Sequence, residues 1–360
     1  MEVFNIFEVL GVAFFIQTCI YLIFLFFKIP SKSDFILIAL LSVLILLFTN
    51  LFIRFHWIED FPYYYYEFVA ILAPLQLLYT KSLVNKEFKL SLKDVVHFSG
   101  VMLLFISRLI ITSDYIKVQE SDFEKIFFLP LFIYLFVYLF FSFKIISEFH
   151  KTILLTRSNF NLYNLKWLKI ELIMLSVFFV TINVESLALF IDFGDYYVVV
   201  VLFSFISILL FINILTFKSL RAPIQSIGVS KEEDGVFNAK KIKYSRSQIS
   251  SEISKTLFKN LKALMDTEKP YTEYRLSLSQ LANMLTITSA ELSQIINENS
   301  KMNFNDFINS YRVEKAKSII REQKDWLIKE IMFESGFQST STFNSSFKKF
   351  TGKSPSEFYK

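Results

Sequence analysis

The chain has 360 residues, of which 53% are hydrophobic and 18% aromatic, and its mean hydropathy is +0.45. This composition, reached with only 7 glycines, excludes an ordinary soluble protein, because soluble domains average about 45–50% apolar residues with glycine included. Residues 1–217 carry 15 Lys and Arg against 17 Asp and Glu, whereas residues 218–360 carry 23 against 16. The basic C-terminal third therefore suits an anionic partner, either nucleic acid or anionic lipid.

Seven apolar segments occupy residues 1–217, and a helix needs about 20 such residues to cross the hydrocarbon core of a bilayer. We predict membrane spans at Phe4–Phe27, Phe35–Phe55, Tyr63–Tyr79, Val95–Ile111, Ile126–Phe143, Leu168–Phe190 and Tyr196–Phe217. Glu2 and Glu8 precede the first segment in place of the basic residues of a cleavable signal peptide, so this segment is expected to be retained. The sequence thus predicts a seven-span transmembrane bundle that resembles a sensor.

The basic residues between the spans predict the orientation of the bundle, since cytoplasmic loops are enriched in Lys and Arg. One set of loops carries eleven of them: Lys28, Lys32, Lys81, Lys86, Lys89, Lys93, Lys144, Lys151, Arg157, Lys166 and Lys169. The opposite set carries only Arg54, Lys117 and Lys125, beside eight acidic residues. We therefore expect a multi-pass protein of the cytoplasmic (inner) membrane, with its N-terminus outside and its C-terminus in the cytoplasm.

Several polar residues lie within the predicted spans toward the outer leaflet, where ionisable groups are costly and often functional. They are Asn50, Glu67, Arg108, Asn183 and Glu185. One interpretation is a pocket, open to the outside, for a small-molecule or peptide signal. The other is an Arg108–Glu185 ion pair that holds helices together, with Glu67 at the membrane interface.

Residues 218–247 are polar and contain Pro, Gly and clusters of charge, which predicts a cytoplasmic linker. A helical pattern returns at residues 248–267, with apolar residues on one face and Ser250 or Ser251 as the cap. We expect this connector helix to pack on the domain that follows or to pair with its copy in a second chain.

Two helix-turn-helix patterns follow, at residues 278–297 and 328–350. In each, a short amphipathic helix and a turn precede a second helix, and the second helix of such a unit enters the major groove of DNA. A helix from about Phe304 to Ile320 joins the two units. Its length of about 25 Å suits two reading helices that lie one groove repeat, about 34 Å, apart on B-DNA.

This double unit resembles the DNA-binding domain of AraC/XylS-type transcription regulators over about residues 270–359. The resemblance is carried by Leu278–Leu285, Leu292–Asn297, Asn303–Phe304, Phe307–Asn309, Tyr311–Val313 and Ala316, and by Glu334–Phe337, Ser339, Phe343, Phe347–Lys349, Thr351–Gly352 and Ser354–Phe358. Together with the spans, the chain is similar to membrane-embedded members of this family from Bacteroidetes-type bacteria. The sequence departs from the family at Thr286, because the family usually has Gly in the first turn.

The resemblance implies that outward residues of the two reading helices contact bases. These residues are Ala290, Ser293, Gln294, Thr340, Ser341, Thr342 and Ser345. Gln can bind adenine in a bidentate manner, Ser and Thr accept several bases, and no Arg stands here to read guanine. We therefore expect modest, A·T-leaning readout with more weight on phosphate contacts and DNA shape.

Four basic residues are candidate phosphate contacts: Arg312, Lys348, Lys349 and Lys353. For Arg312, an internal ion pair with a residue such as Glu330 is an equally good alternative. The partners that follow are double-stranded DNA, the lipid bilayer and a possible small-molecule or peptide signal. The family resemblance adds a homodimer and RNA polymerase to them.

An enzyme is not predicted, and no cofactor or metal site is expected. The chain has three histidines and one cysteine, Cys19, and it lacks a Gly-rich phosphate loop or a nucleophile with a base at usable spacing. The reading we favour is an all-α protein, a membrane-bound transcription regulator with a double helix-turn-helix domain. Two alternatives remain for the bundle: a transporter, which inverted halves or broken helices would indicate, or a plain anchor.

Overall fold

The computed structural model describes residues 2–27, 31–56, 64–85, 87–111, 120–158, 165–187, 196–221, 250–323 and 325–359. In these residues the fold is all-α, which confirms the predicted fold class, and no regular strand is present. The chain forms two compact units. The first comprises residues 1–147 and 165–228, and the second comprises residues 148–164 and 229–360.

Seven long helices precede residue 222 in the described part of the chain. They are α1 (Glu2–Phe27), α2 (Lys32–His56), α3 (Tyr65–Val84), α4 (Ser99–Ile111), α5 (Glu120–Thr156), α6 (Lys166–Leu187) and α7 (Tyr196–Arg221). Each predicted span overlaps one of these helices, and a 3₁₀ helix, Leu92–Phe98, leads directly into α4. The helix α5 begins in the first unit and ends in the second.

Leucine-rich faces hold the first unit together, because α6 packs along α7 and α2 packs along α3. Leu40 and Leu44 of α2 and Leu168 and Leu172 of α6 are fully buried. Among the residues that the structure describes, three helical stretches are long and apolar enough to cross a membrane: Lys32–Asn50, Tyr65–Val84 and Leu129–Thr156. Two shorter apolar stretches are Gly11–Phe27 and Leu202–Ile214.

The described part of the second unit contains seven further helices and a 3₁₀ helix, Pro270–Thr272. The helices are α8 (Ser251–Thr267), α9 (Leu278–Met284), α10 (Ser289–Ser300), α11 (Phe304–Glu322), α12 (Ile328–Glu334), α13 (Thr340–Thr351) and α14 (Pro355–Tyr359). The pairs α9–α10 and α12–α13 form the two helix-turn-helix units, and α11 joins them. The predicted linker, residues 218–247, lies almost entirely outside the described residues.

Two separate hydrophobic cores lie along α11. The first half of α11 contributes Phe304, Phe307 and Ile308 to a core shared with α8, α9 and α10. The second half contributes Val313 and Ala316 to a core shared with α12, α13 and α14. Each helix-turn-helix unit is therefore packed around its own half of the central helix.

The connector helix α8 begins at a serine cap, because Ser250 Oγ accepts a hydrogen bond from the Ile253 N–H. It packs on α10, which is the first of the two arrangements that the sequence allows. Ser254 Oγ donates to Glu298 Oε2 at 3.0 Å and accepts from Asn299 Nδ2 at 3.0 Å. The connector is thus part of the first helix-turn-helix core.

Candidate functional site

Side-chain caps start the helices of the first helix-turn-helix unit. Ser277 caps α9 and forms a capping box with Gln280, and Thr288 caps α10 and forms one with Glu291. In a capping box the two side chains satisfy backbone N–H groups that the first helical turn leaves without partners. These local sequences therefore fix where the reading helix α10 begins.

The two turns have the same backbone geometry although their residues differ. Thr286 has φ 56° and Gly336 has φ 90°, so both are left-handed. The Ile287 N–H donates to Ala282 O and the Phe337 N–H to Met332 O, which is the six-residue closure of a Schellman turn. Thr286 thus occupies the position where the family usually has Gly, and it carries the strain of a left-handed β-branched residue.

A glycine is required in the second turn by its surroundings as well as by its φ angle. A Cβ atom on Gly336 would lie 2.6 Å from Tyr271 O and 2.9 Å from Thr272 Cα. The turn between α12 and α13 therefore packs directly on the backbone of the segment that leads into the first helix-turn-helix unit.

The reading helix α13 separates a buried aromatic face from an exposed polar face. Ser339 caps it by accepting from the Thr342 N–H, and Phe343 and Phe347 are fully buried. The exposed residues on its outer face are Thr340, Ser341, Asn344, Ser345 and Lys348. This face offers hydroxyl groups, one carboxamide and one ammonium group to a DNA groove.

The structure corrects two details of the predicted reading face of α13. Thr342 is only 9% exposed and lies beside the buried Phe343, so it does not belong to the outer face. Asn344 was missed, although it lies four residues after Thr340 and helical periodicity alone places these two residues on one face. Thr340, Ser341 and Ser345 are exposed.

The first reading helix, α10, has a smaller polar surface. Ala290 is exposed, and Ser293 and Gln294 are half-buried. Gln294 Nε2 donates to Glu298 Oε1 at 2.7 Å, which uses one of the two N–H donors of its carboxamide. The base-facing roles of these residues remain predictions.

Among the candidate phosphate contacts, Lys348 and Lys353 are exposed. Lys349 Nζ forms an ion pair with Asp306 Oδ1 at 2.6 Å, and this pair joins α13 to the first turn of α11. A phosphate contact by Lys349 competes with that pair, whereas Lys348 makes no ion pair within the described part of the chain.

The predicted phosphate contact by Arg312 is wrong, because the side chain is completely buried. Its guanidinium group donates to Tyr271 O at 2.7 Å, Glu273 O at 2.9 Å and Ser158 Oγ at 3.1 Å. The alternative pair with Glu330 is not what the structure shows either, since Glu330 Oε2 accepts from the Leu327 N–H. Burial lowers the pKa of Arg312 to about 9, an effect that Glu273 partly offsets, so the group is charged at neutral pH.

Two polar residues of the first unit form a buried ion pair. Arg108 Nε bonds to Glu67 Oε1 at 2.5 Å, and both side chains are buried. Glu67 is therefore inside the helix packing and is a described partner of Arg108, while the predicted Arg108–Glu185 pair stays a prediction. The Arg108 guanidinium also lies 5.8 Å from the ring centre of Tyr64.

Three other residues are predicted to line the outer pocket: Asn50, Asn183 and Glu185. Asn50 Oδ1 accepts from the Tyr64 N–H at 3.2 Å, which brings Asn50 to the same cluster. Asn183 is buried and its Nδ2 donates to Phe179 O of its own helix. The side chain of Glu185 lies outside the described residues.

Comparison with known proteins finds a family match within the second unit. Residues 281–360 match the family model described as "Helix-turn-helix domain". Among solved structures, the chain is similar to the C-terminal domain of AraT, a response regulator from Geobacillus stearothermophilus, with 24% identity, 31% of this chain and 87% of that chain covered, and a TM-score of 0.26. It is also similar to the C-terminal domain of the two-component response regulator yesN from Fusobacterium nucleatum subsp. nucleatum ATCC 25586, with 29% identity, 28% and 99% covered, and a TM-score of 0.25. No curated protein matches the chain.

The family match and the two capped helix-turn-helix units occupy the same part of the chain. The left-handed turns, the exposed polar face of α13 and the central helix α11 all lie within the matched residues. The C-terminal region of this protein, residues 281–360, is a helix-turn-helix domain, the type of domain whose second helix enters the major groove of DNA.

Proposed function

We propose that this protein is a membrane-embedded transcription regulator that binds promoter DNA through its C-terminal domain. The observation that carries the proposal is the exposed polar face of α13, which lies on a helix whose other face is locked into a core by Phe343 and Phe347. A capped helix of this kind presents side chains to base edges at fixed spacing.

The membrane part of the proposal is supported by the surface of the first unit. Large apolar side chains are exposed on α1, α4 and α5, among them Phe27 at 88%, Leu103 at 67% and Phe140 at 64%. Soluble proteins rarely expose contiguous apolar surface on this scale, whereas hydrocarbon is a suitable solvent for it. We assign the seven helices to a multi-pass bundle in the cytoplasmic membrane, with the N-terminus outside and the DNA-binding domain in the cytoplasm.

For DNA readout, we assign base contacts to the exposed residues of α13 and to Ala290, Ser293 and Gln294 of α10. Asn344 strengthens the expected preference for A·T pairs, because Asn binds adenine in a bidentate manner and no exposed Arg stands beside it to read guanine. Lys348 and Lys353 supply phosphate contacts that position the domain without reading sequence.

For sensing, we assign the signal site to the cluster of Asn50, Glu67 and Arg108 in the first unit. A small polar molecule or peptide that binds this cluster can shift the regulator between two states only if it binds them with different affinity. A homodimer on repeated half-sites, contact with RNA polymerase and similarity to the membrane-embedded regulators of Bacteroidetes-type bacteria complete the proposal.

The experiment that tests this function is genome-wide mapping of the DNA bound by the tagged full-length protein in its membrane. We expect a limited set of sites with a shared, A·T-rich motif. Reads spread without any enriched motif would contradict regulation by sequence-specific binding, and a motif dominated by invariant guanines would contradict the assigned readout.

A further inference from the structure

A short segment that directly follows α5 lies within the DNA-binding unit. Arg157 forms an antiparallel bridge with Ser277, and the Ser158 N–H donates to Leu276 O at 3.2 Å. Ser158 is completely buried. The segment therefore pairs, strand-like, with the residues that lead into α9, the first helix of the first helix-turn-helix unit.

The central helix α11 holds the other side of this segment. Asn305 Nδ2 donates to Arg157 O at 3.0 Å and to Ser158 O at 2.9 Å. Asn309 Nδ2 in turn donates to Asn305 Oδ1 at 3.0 Å, which orients the Asn305 carboxamide. Since both acceptors belong to the backbone, Asn305 recognises the path of the segment rather than its side chains.

Ser158 also completes the surroundings of the buried Arg312. Its carbonyl and hydroxyl oxygens accept from Arg312 Nη1 at 3.3 Å and Nη2 at 3.1 Å. Without Ser158 the guanidinium group would lose two of its acceptors, and a buried donor left without a partner is costly. A charged group in this position therefore strongly favours the docked segment.

Arg312 lies at the joint between the two helix-turn-helix units. On α11, the residues before Arg312 pack into the first core and the residues after it pack into the second core. Its guanidinium also lies 5.7 Å from the ring centre of Phe337 in the second turn, and it bonds Tyr271 O, the atom against which Gly336 packs. The segment thus contacts Arg312 where the two helix-turn-helix units meet.

We propose that the groove formed by Leu276, Asn305 and Arg312 is a docking surface for residues 157–158 of the same chain, and that this contact couples α5 to the DNA-binding domain. A movement of α5 that withdraws the segment removes the support from the start of α9 and loosens the first helix-turn-helix unit. The second helix-turn-helix unit, which has its own core, keeps its structure. This inference rests on the proposed DNA-binding function for its consequence but not for the contact itself.

Thiol labelling of the full-length protein in inner-face-out membrane vesicles tests the contact. In a Cys19→Ser background, Ser158→Cys should react with a water-soluble maleimide about tenfold more slowly than Lys151→Cys, whose native side chain is exposed on the same stretch of α5. Adding Asn305→Ala should speed the labelling of the buried thiol, whereas the matched control Gln323→Ala, at an exposed position after the end of α11, should not. Equal rates for the two thiols, or no effect of Asn305→Ala, would overturn the docking contact.

DNA affinity of the same full-length protein tests the coupling. Asn305→Ala removes the two hydrogen bonds to the segment together with the one from Asn309, and it should weaken binding to a mapped full site by about tenfold, while Gln323→Ala leaves it unchanged. Binding to the half of the site that α13 reads should be unaffected by either change. Equal weakening on both halves, or no weakening on either, would overturn the coupling. A wild-type protein that binds no specific DNA would contradict the proposed function and, with it, the coupling, while the labelling rates alone decide the contact.

Discussion

Lys348 and Arg312 are both basic residues of the DNA-binding domain, but their surroundings give them different roles. Lys348 is exposed on the outer face of α13, whereas Arg312 is buried among backbone carbonyls. A lysine that contacts phosphate releases counterions on binding, and a buried arginine does not. The surface position of a basic residue is therefore decisive for its role in DNA binding.

We expect Lys348→Ala to weaken DNA binding about equally for all sequences and to reduce the slope of log affinity against log salt concentration by about 1. The measurement is fluorescence anisotropy of labelled DNA with the full-length protein over a range of salt concentrations. Lys259→Ala, on the exposed surface of α8, is the control and should leave the slope unchanged. An unchanged slope for Lys348→Ala would show that this lysine does not touch phosphate.

Helix caps are encoded by local sequence, whereas the partners of buried charges are not. Ser277, Thr288 and Ser339 bond to backbone groups three residues away, so a local sequence pattern contains both partners. Arg312 bonds instead to residues that lie 41 and 154 positions away in the chain, and no local pattern carries that information. The same holds for Arg108, whose partner Glu67 lies 41 positions away.

Among the structural elements, two positions with a left-handed glycine differ in the space around them: Gly336 in the second turn and Gly352 at the C-terminal end of α13. Gly336 is confined by the backbone of Tyr271 and Thr272, while the cap of α13, Gly352, has φ 77° with nothing within 4 Å of an added Cβ atom. The two glycines therefore share a left-handed backbone but differ in the space around them. This difference allows strain and steric contact to be measured separately.

We expect Gly352→Ala to destabilise the domain by about 1 kcal/mol, the strain of a left-handed alanine. Gly336→Ala should cost clearly more, because its Cβ atom also collides with backbone atoms that cannot rotate away. Pulse proteolysis of the full-length protein in urea would give both free energies of unfolding. Equal effects of the two substitutions would contradict the close packing of the second turn.

In the first turn, the left-handed residue is Thr286 instead of glycine. Its φ of 56° is strained for a β-branched residue, so we expect Thr286→Gly to stabilise the domain by about 0.5–1 kcal/mol once the greater chain entropy of glycine is subtracted. Thr286→Ala keeps a Cβ atom and serves as the control. In the same proteolysis measurement, equal stability of the Gly and Ala variants would show that the turn is not strained.

At the scale of the whole molecule, hydropathy and charge divide the chain into an apolar helical part and a basic DNA-binding part. The all-α class and the helix-turn-helix domain follow from local patterns, because helical periodicity and caps are properties of short stretches. The place of residues 157–158 does not follow from them. These residues lie in a predicted loop of the bundle but belong to the DNA-binding unit, and only long-range contacts reveal this.

We propose that this protein is held in a membrane by its N-terminal helices and binds specific DNA with its C-terminal domain. The most direct measurement is the affinity of the full-length protein in lipid nanodiscs for a mapped site and for the same site with its sequence shuffled, at one salt concentration. We expect the mapped site to bind about 10³-fold more tightly, the low end for specific binding, because the reading helices offer few bidentate side chains. Equal affinity for the mapped and the shuffled DNA would contradict sequence-specific binding by this protein.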